Sequence, residues 1–197
     1  MKKYSKNQGI RLDIGCGERK QANWVGMDIR RVKGVDIVHD VQKFPYPIKD
    51  NACFQILLSH LWEHIEPKHR VSMMNELWRI MKPEGQLLIA VPYFLSFGAT
   101  QDPTHYTCPN EATFTYFDPG YPLWNIYKPK PWKIIRNDYQ ISGSLEVILE
   151  KRKNAGAVHD NKKRVGKTKK QASGRNSDFG NSQDGMGNSP LRTSYTV

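Results

Sequence analysis

Six short apolar segments most constrain what this chain can fold into: residues 10–14, 24–29, 35–38, 54–58, 86–91 and 145–149. None is longer than six residues and polar alternation within them is slight. That is the pattern of strands covered on both faces of a mainly parallel sheet. Residues 132–136 form a weaker seventh candidate. Between the fourth and fifth segments the spacing predicts a helix over residues 67–81. Val71, Met74, Leu77, Trp78 and Met81 fall on one stripe, and Pro67 suits a first turn, where its missing N–H costs nothing. Lys82-Pro83-Glu84-Gly85 then stops the helix and turns the chain toward the next strand. Alternating strand and helix signals imply an open α/β fold.

Two crossovers are too short for that fold in its full form. Six residues separate Gly17 from Trp24, and six separate Ile29 from Asp36. A crossover carrying a helix needs about a dozen residues. The helices after the first two strands are therefore expected to be shortened or lost.

Residues 92–131 break the rhythm, holding 7 of the 12 prolines and many of the aromatic side chains. Such a connection, leaving the carboxyl end of a strand, suits a binding lid or a satellite core over one sheet edge. One short helix is expected near residues 110–117. From residue 154 the chain is rich in Gly, Ser, Asn, Lys and Gln, and too poor in apolar side chains to offset ordering entropy. The expected organisation is a folded domain over 1–153 and a disordered basic tail over 154–197.

The formal net charge of +11 belongs mainly to that tail, since residues 151–197 hold 11 Lys or Arg against 3 Asp or Glu. The run at 162–170 can hold nucleic acid through salt-sensitive phosphate contacts, although it lacks aromatics for base stacking. A merely solubilising tail is the other reading. No apolar run approaches the roughly 18 residues that a membrane span requires. The first residues, MKKYSKNQG, lead into no apolar signal-peptide core. Cys16, Cys53 and Cys108 lack metal-ligand spacing and suit a reducing compartment, so a cytoplasmic protein with no membrane partner is expected. Nothing in the composition speaks to oligomeric state.

The most informative stretch is Leu12-Asp13-Ile14-Gly15-Cys16-Gly17-Glu18. A buried strand ending in Asp-x-Gly-x-Gly lets the chain turn sharply and approach a ligand closely. In open α/β sheets, ligands bind outside the carboxyl ends of the strands, where this loop lies. Asp28 ends the next candidate strand, where a carboxylate can accept bonds from both hydroxyls of a ribose. Asp40 follows the third, within reach of an adenine edge. A dinucleotide fingerprint wants a third glycine where this chain has Lys20, and there is no P-loop Gly-Lys-Ser/Thr.

With these residues the chain resembles the class I S-adenosylmethionine-dependent methyltransferases. Leu12 to Gly17 is similar to their first motif, and Asp28 to their ribose-binding acid. Residues 44–54 resemble the segment leading into their fourth strand, and Leu61-Trp62-Glu63-His64-Ile65 the stretch after it. Glu76-Leu77-Trp78-Arg79-Ile80-Met81-Lys82-Pro83-Glu84-Gly85 resembles their passage from helix to fifth strand. The resemblance implies a Rossmann-like, mostly parallel sheet of about seven strands, with S-adenosyl-L-methionine as cofactor. It places Asp13, Gly15, Cys16 and Gly17 beside the methionine portion, Asp28 and Ile29 at the ribose, and Asp40 and Val41 beside the adenine. Position alone puts Ser59 and His60 near the methyl group.

On the acceptor side, Asp102-Pro103-Thr104-His105-Tyr106 is similar to an Asp-Pro-Thr-His segment of some short methyltransferases of this class. His105 can remove a proton and Asp102 can orient it; alternatively Asp102 caps a turn and His105 bonds to backbone. His60 and His64 are four apart, but Glu63 is not placed as in His-Glu-x-x-His, so no metal is expected. Trp62 and Trp78 are read as core. The site after the fourth strand, Leu58-Ser59-His60-Leu61, lacks the Pro-Pro-aromatic motif of amino-methylating DNA enzymes, and no Pro-Cys nucleophile is present. The expectation is methyl transfer to a small-molecule or sugar-like acceptor. The competing class is a non-catalytic or nucleic-acid-tethered cofactor-binding protein that uses the basic tail.

Overall fold

The structure, a computed structural model, describes residues 9–153, which fall in one compact unit. The expected tail lies outside the described residues. Seven strands form one sheet: β1 (Ile10–Ile14), β2 (Val25–Asp28), β3 (Ile37–Val38), β4 (Cys53–Ser59), β5 (Met81–Pro92), β6 (Trp132–Tyr139) and β7 (Ser144–Lys151). Their order is β3-β2-β1-β4-β5-β7-β6, and every pairing is parallel except the two that β7 makes with β5 and β6. The chain leaves β1 toward β2 on one side and later returns to flank it with β4. The carboxyl ends of β1, β2 and β4 therefore meet at the switch point where an open α/β sheet holds its ligand.

All six apolar segments are strands, and the weak seventh candidate is the full eight-residue β6. Helix α1 (Pro67–Ile80) ends one residue earlier than the spacing predicts. Met81 already pairs with Cys53 as the first residue of β5, and both side chains are fully buried. Lys82 to Gly85 is consequently an irregularity within β5 rather than a turn before it. Glu84 takes a left-handed φ of 64°, and the register shifts between Cys53 and Gln55.

Among the described residues no helix connects β1 to β2 or β2 to β3, as the short crossovers imply. The expectation of a sheet covered on both faces is corrected by that same loss. On the α1 face, Leu12, Ile14, Ile56, Leu58, Leu87, Ile89, Val91, Leu145, Val147 and Leu149 are buried against Met73, Met74, Leu77 and Ile80 of α1. The opposite face carries Gln55 and Leu57, Gln86 and Leu88, and Glu146 and Ile148, all only partly buried, with Arg11 exposed. Leu57, Leu88 and Ile148 stand outside the core. The Arg11 guanidinium instead lies over the Phe54 ring, 5.2 Å from its centroid, shielding apolar surface with its own stem.

Polar clamps hold the single covering layer. Glu76 accepts from the Tyr46 amide at 2.6 Å, and Arg79 bridges Glu76 to Asp50 and to the Ile48 carbonyl. At the far edge Lys151 Nζ donates to Asn51 Oδ1 and Met81 O, both at 2.7 Å, and sits 3.8 Å from the centroid of Trp78. Trp78, half inside, donates its Nε1 to the carbonyls of Pro131 and Arg152.

The aromatic connection divides its two expected roles. Its second half packs as core: Phe114 and Phe117, in the 3-10 turn Thr113–Phe117, meet Trp62 with ring centroids 5.1 and 6.0 Å away. Its first half, with the short helix α2 (Phe97–Thr100), walls a cavity instead. A second short helix, α3 (Trp124–Tyr127), follows the turn. Among the described residues no helix is long and apolar enough to cross a membrane.

One-sided cover has a direct test in neighbouring leucines of β5. Leu87→Ala should cost about 2–5 kcal/mol in urea unfolding, as for other buried leucines. Leu88→Ala should cost about 1 kcal/mol or less, as surface substitutions do. Equal losses would contradict an uncovered face.

Candidate active site

The site begins where β1 ends. Gly15 and Gly17 have φ of 74° and 49°, in the left-handed region that side chains disfavour. A Cβ on Gly15 would stand 3.0 Å from the Leu61 side chain, which would have to shift to admit it. The turn is secured to β2 through Asp28, whose Oδ2 accepts from the Gly17 amide at 2.8 Å and whose Oδ1 accepts from the Arg30 amide at 2.9 Å. Burial pushes the Asp28 carboxyl up, but the Arg30 and Gly17 amides and the Arg30 guanidinium outweigh it and hold the group below the usual carboxylate range. Oδ1 also accepts from Arg30 Nε at 3.3 Å, so Oδ2, with its single bond, is the oxygen that retains acceptor capacity for a ligand hydroxyl.

Two adjoining cavities share Gly15. The first, about 170 Å³, is lined by Ile14, Gly15, Met27, Asp28, Ile29, His39, Asp40, Val41, Gln42, Leu61, His64 and Ile65. It gathers Asp28, Ile29, Asp40 and Val41 as the spacing predicts. Ile29 is largely exposed at its lip, offering a flat apolar contact, and Asp40 Oδ1 accepts from the Gln42 amide at 3.0 Å. The second, about 260 Å³, is lined by Asp13, Gly15, Cys16, Arg19, Gln21, Leu57 and Ser59. Asp13 is buried there and accepts from the Gln21 amide at 2.9 Å. Burial raises its carboxyl, opposed by that amide and by Lys20. Burial likewise raises the Cys16 thiol, with Asp13 and Asp28 adding to the shift. Ser59 belongs to this second cavity.

The third cavity, about 630 Å³, adjoins the first, because His64 lines both. His60, Glu63, Pro92, Ser96, Gln101, Asp102, His105 and Ser144 are among its walls. His60 thus stands on this side rather than in either of the two cavities sharing Gly15. It has a left-handed φ of 51°, and its Nδ1 lies 3.5 Å from Glu63 Oε1, which raises the imidazole above its ordinary value.

Both readings of the Asp-Pro-Thr-His segment have a geometric counterpart. Asp102 Oδ1 caps a turn, accepting from the Thr104 amide and hydroxyl at 2.8 and 2.7 Å, and the Thr104 hydroxyl chiefly holds its carboxyl low. His105 Nδ1 lies 3.2 Å from the Ala99 carbonyl. Its Nε2, 3.9 Å from Asp102 Oδ2, is left as the nitrogen able to take a proton.

Sequence reasoning missed Arg19, His39, Gln42, Glu63 and His64 as site residues. Arg19 and Gln21 follow the glycine turn directly, and Gln42 follows Val41, so proximity to a strand end was the available signal. For Glu63 and His64 it was the position just past β4.

No protein-family model and no curated protein matches the chain. Solved structures do resemble it. An S-adenosylmethionine-dependent methyltransferase from Archaeoglobus fulgidus aligns with 74% of this chain and 87% of its own, at TM-score 0.54 and 16% identity. Another from Aquifex aeolicus aligns with 73% of this chain and 82% of its own, at TM-score 0.51 and 16% identity. The [4+2]-cyclase SpnF aligns with 74% of this chain and 76% of its own, at TM-score 0.52 and 16% identity. The fold is thus the Rossmann-like class I methyltransferase sheet, in a form lacking its first two crossover helices. A cyclase among these neighbours shows that fold alone does not set the reaction.

Asp28 makes a pH-dependent contribution that can be read directly. Its carboxyl is held below the usual range, so its stabilisation is complete above the unfolded value of about 3.9 and disappears as pH falls through the folded value. The stability gap between wild type and Asp28→Asn, measured by urea unfolding, should be constant near neutrality and shrink below about pH 4. A gap that does not change with acidification would show that the amide contacts are not made to an ionised carboxylate.

Proposed function

We propose that the chain is an S-adenosylmethionine-dependent methyltransferase acting on a small, hydroxyl-bearing acceptor such as a sugar-like compound. The observation that carries this reading is the clustering of three cavities at the carboxyl ends of β1, β2 and β4, the first two sharing Gly15 as a wall residue and the first and third sharing His64. The residues fit the cofactor. Asp28 retains acceptor capacity on Oδ2, and the left-handed Gly15 presents bare backbone to both cavities it lines. Asp13 and Arg19 offer opposite charges to an amino-acid head, and Val41 and Ile29 offer apolar contact to a base.

When bound, the cofactor supplies a methyl group on a sulfonium centre, already activated for displacement. The chain's task is then to align and to move a proton. The polar walls of the third cavity, including Ser96, Gln101 and Ser144, suit an acceptor rich in hydroxyls. His105 Nε2 would take the acceptor proton as the acceptor oxygen bonds to the methyl carbon and the carbon–sulfur bond breaks, its electron pair going to the departing neutral thioether sulfur. Asp102 Oδ2 stands 3.9 Å from that nitrogen. Holding the two reactants in line supplies most of the remaining advantage.

Isothermal calorimetry with S-adenosylmethionine tests the binding half. Wild type should bind, and Asp28→Ala should bind at least tenfold more weakly; no binding by wild type would overturn the reading. Methyl-label transfer across acceptor classes tests the chemistry. His105→Ala should lose about 100-fold in turnover, the lower range for a lost general base, with cofactor affinity unchanged.

A further inference from the structure

We propose that Glu63, His64 and His105 form a binding site for one first-row transition-metal dication in the wall of the third cavity. One donor atom from each of the three lies within 4.8 Å of the others. They come from two segments, the 3-10 turn Trp62–His64 after β4 and the loop after α2. The Tyr106 amide, donating to the Glu63 carbonyl at 2.9 Å, fastens those segments together. A metal about 2.1 Å from each donor needs donor separations of about 3–4 Å, so small side-chain rotations close the site.

Three independent features suit coordination. First, Glu63 is fully buried, and neither carboxylate oxygen has a hydrogen-bond partner. Its nearest basic group is His60, at 3.5 Å. A buried carboxylate with no hydrogen bond and a single imidazole beside it is costly, and a bound dication lowers that cost. Second, the hydrogen bonds select the imidazole tautomers. His105 Nδ1–H donates to the Ala99 carbonyl. Thr104 gives its hydroxyl proton to Asp102 Oδ1, so its oxygen accepts from His64 Nδ1–H at 3.0 Å. Each ring then keeps its lone pair on Nε2, and each is held through its other nitrogen as metal-ligating histidines are. Third, two imidazoles with one carboxylate suit zinc, iron or cobalt, whereas calcium and magnesium prefer all-oxygen sets.

Three protein ligands leave coordination positions open to the cavity. If the methyl-transfer reading holds, an acceptor oxygen can complete the shell there. In the metal-free chain His105 Nε2 is open to act as the base; with the ion bound it serves as a ligand instead. Spacing did not reveal the site because its third ligand lies in a distant segment, beyond the local pattern of His60 and His64.

The test is titration of the full chain, stripped with chelator, with cobalt(II) in the absence of S-adenosylmethionine, read by visible absorption and calorimetry. One cobalt per chain is expected, with His64→Ala and His105→Ala each weakening binding by at least roughly tenfold. Glu63→Gln should do the same, and His69→Ala, in the first turn of α1 and outside the cluster, should not. Circular dichroism will show whether the variants remain folded; should Glu63→Gln fail to fold, the two histidine variants decide. Absence of cobalt binding by wild type, or unchanged affinity in both His64→Ala and His105→Ala, would overturn the proposal. Because cobalt is the only probe, neither result depends on whether the cofactor binds.

Discussion

The carboxylate of Asp28 is the joint on which the site depends. It gathers the Gly17 amide from the loop after β1 and the Arg30 amide from its own strand's end. In a complete sheet of this kind, a helix after β1 would brace the glycine turn from outside. Here the crossover is too short for that helix, and one buried, ionised side chain braces the turn through the charge-assisted bond from the Gly17 amide, while Arg30 holds the carboxylate in place. The group that shapes the loop is also the one suited to a ribose, so stability and ligand capture draw on the same residue.

The missing helices have a second consequence, at the scale of the sheet. A parallel sheet is normally buried on both faces, yet this one buries the α1 face and leaves Gln55, Gln86, Glu146 and Arg11 on the other. The interior is therefore one layer deep. Trp62, Phe114 and Phe117 extend it sideways, so the aromatic connection acts partly as a replacement core. The catalytic reading and the economy of the fold are linked, since the segment that thickens the core also brings Asp102, Thr104 and His105 to Glu63 and His64.

What could be read from the sequence was local. Strand positions followed from short apolar runs, and Asp13, Gly15, Gly17, Asp28 and Asp40 followed from their places just past strand ends. The lost crossover helices were legible as mere loop length. One-sided cover was not read, although Gln55, Gln86, Glu146 and Glu150 carry its polar alternation. Their neighbours Leu57, Leu88 and Ile148 made each run seem apolar throughout. Lys82 to Gly85 reads as a turn because Pro and Gly ordinarily punctuate elements, whereas buried Met81 anchors the strand before them. Glu63 escaped notice for a deeper reason: burial and lack of partners are properties of the assembled fold, invisible in spacing.

The central claim is that the carboxyl ends of β1, β2 and β4 hold a nucleoside-bearing cofactor beside a separate acceptor cavity. A crystal structure of the chain with S-adenosylhomocysteine tests it most directly. The account predicts ribose hydroxyls bonded to Asp28, the base between Ile29 and Val41, and the thioether sulfur turned toward His60 and His105. A ligand bound elsewhere, or a ribose with no contact to Asp28, would contradict it.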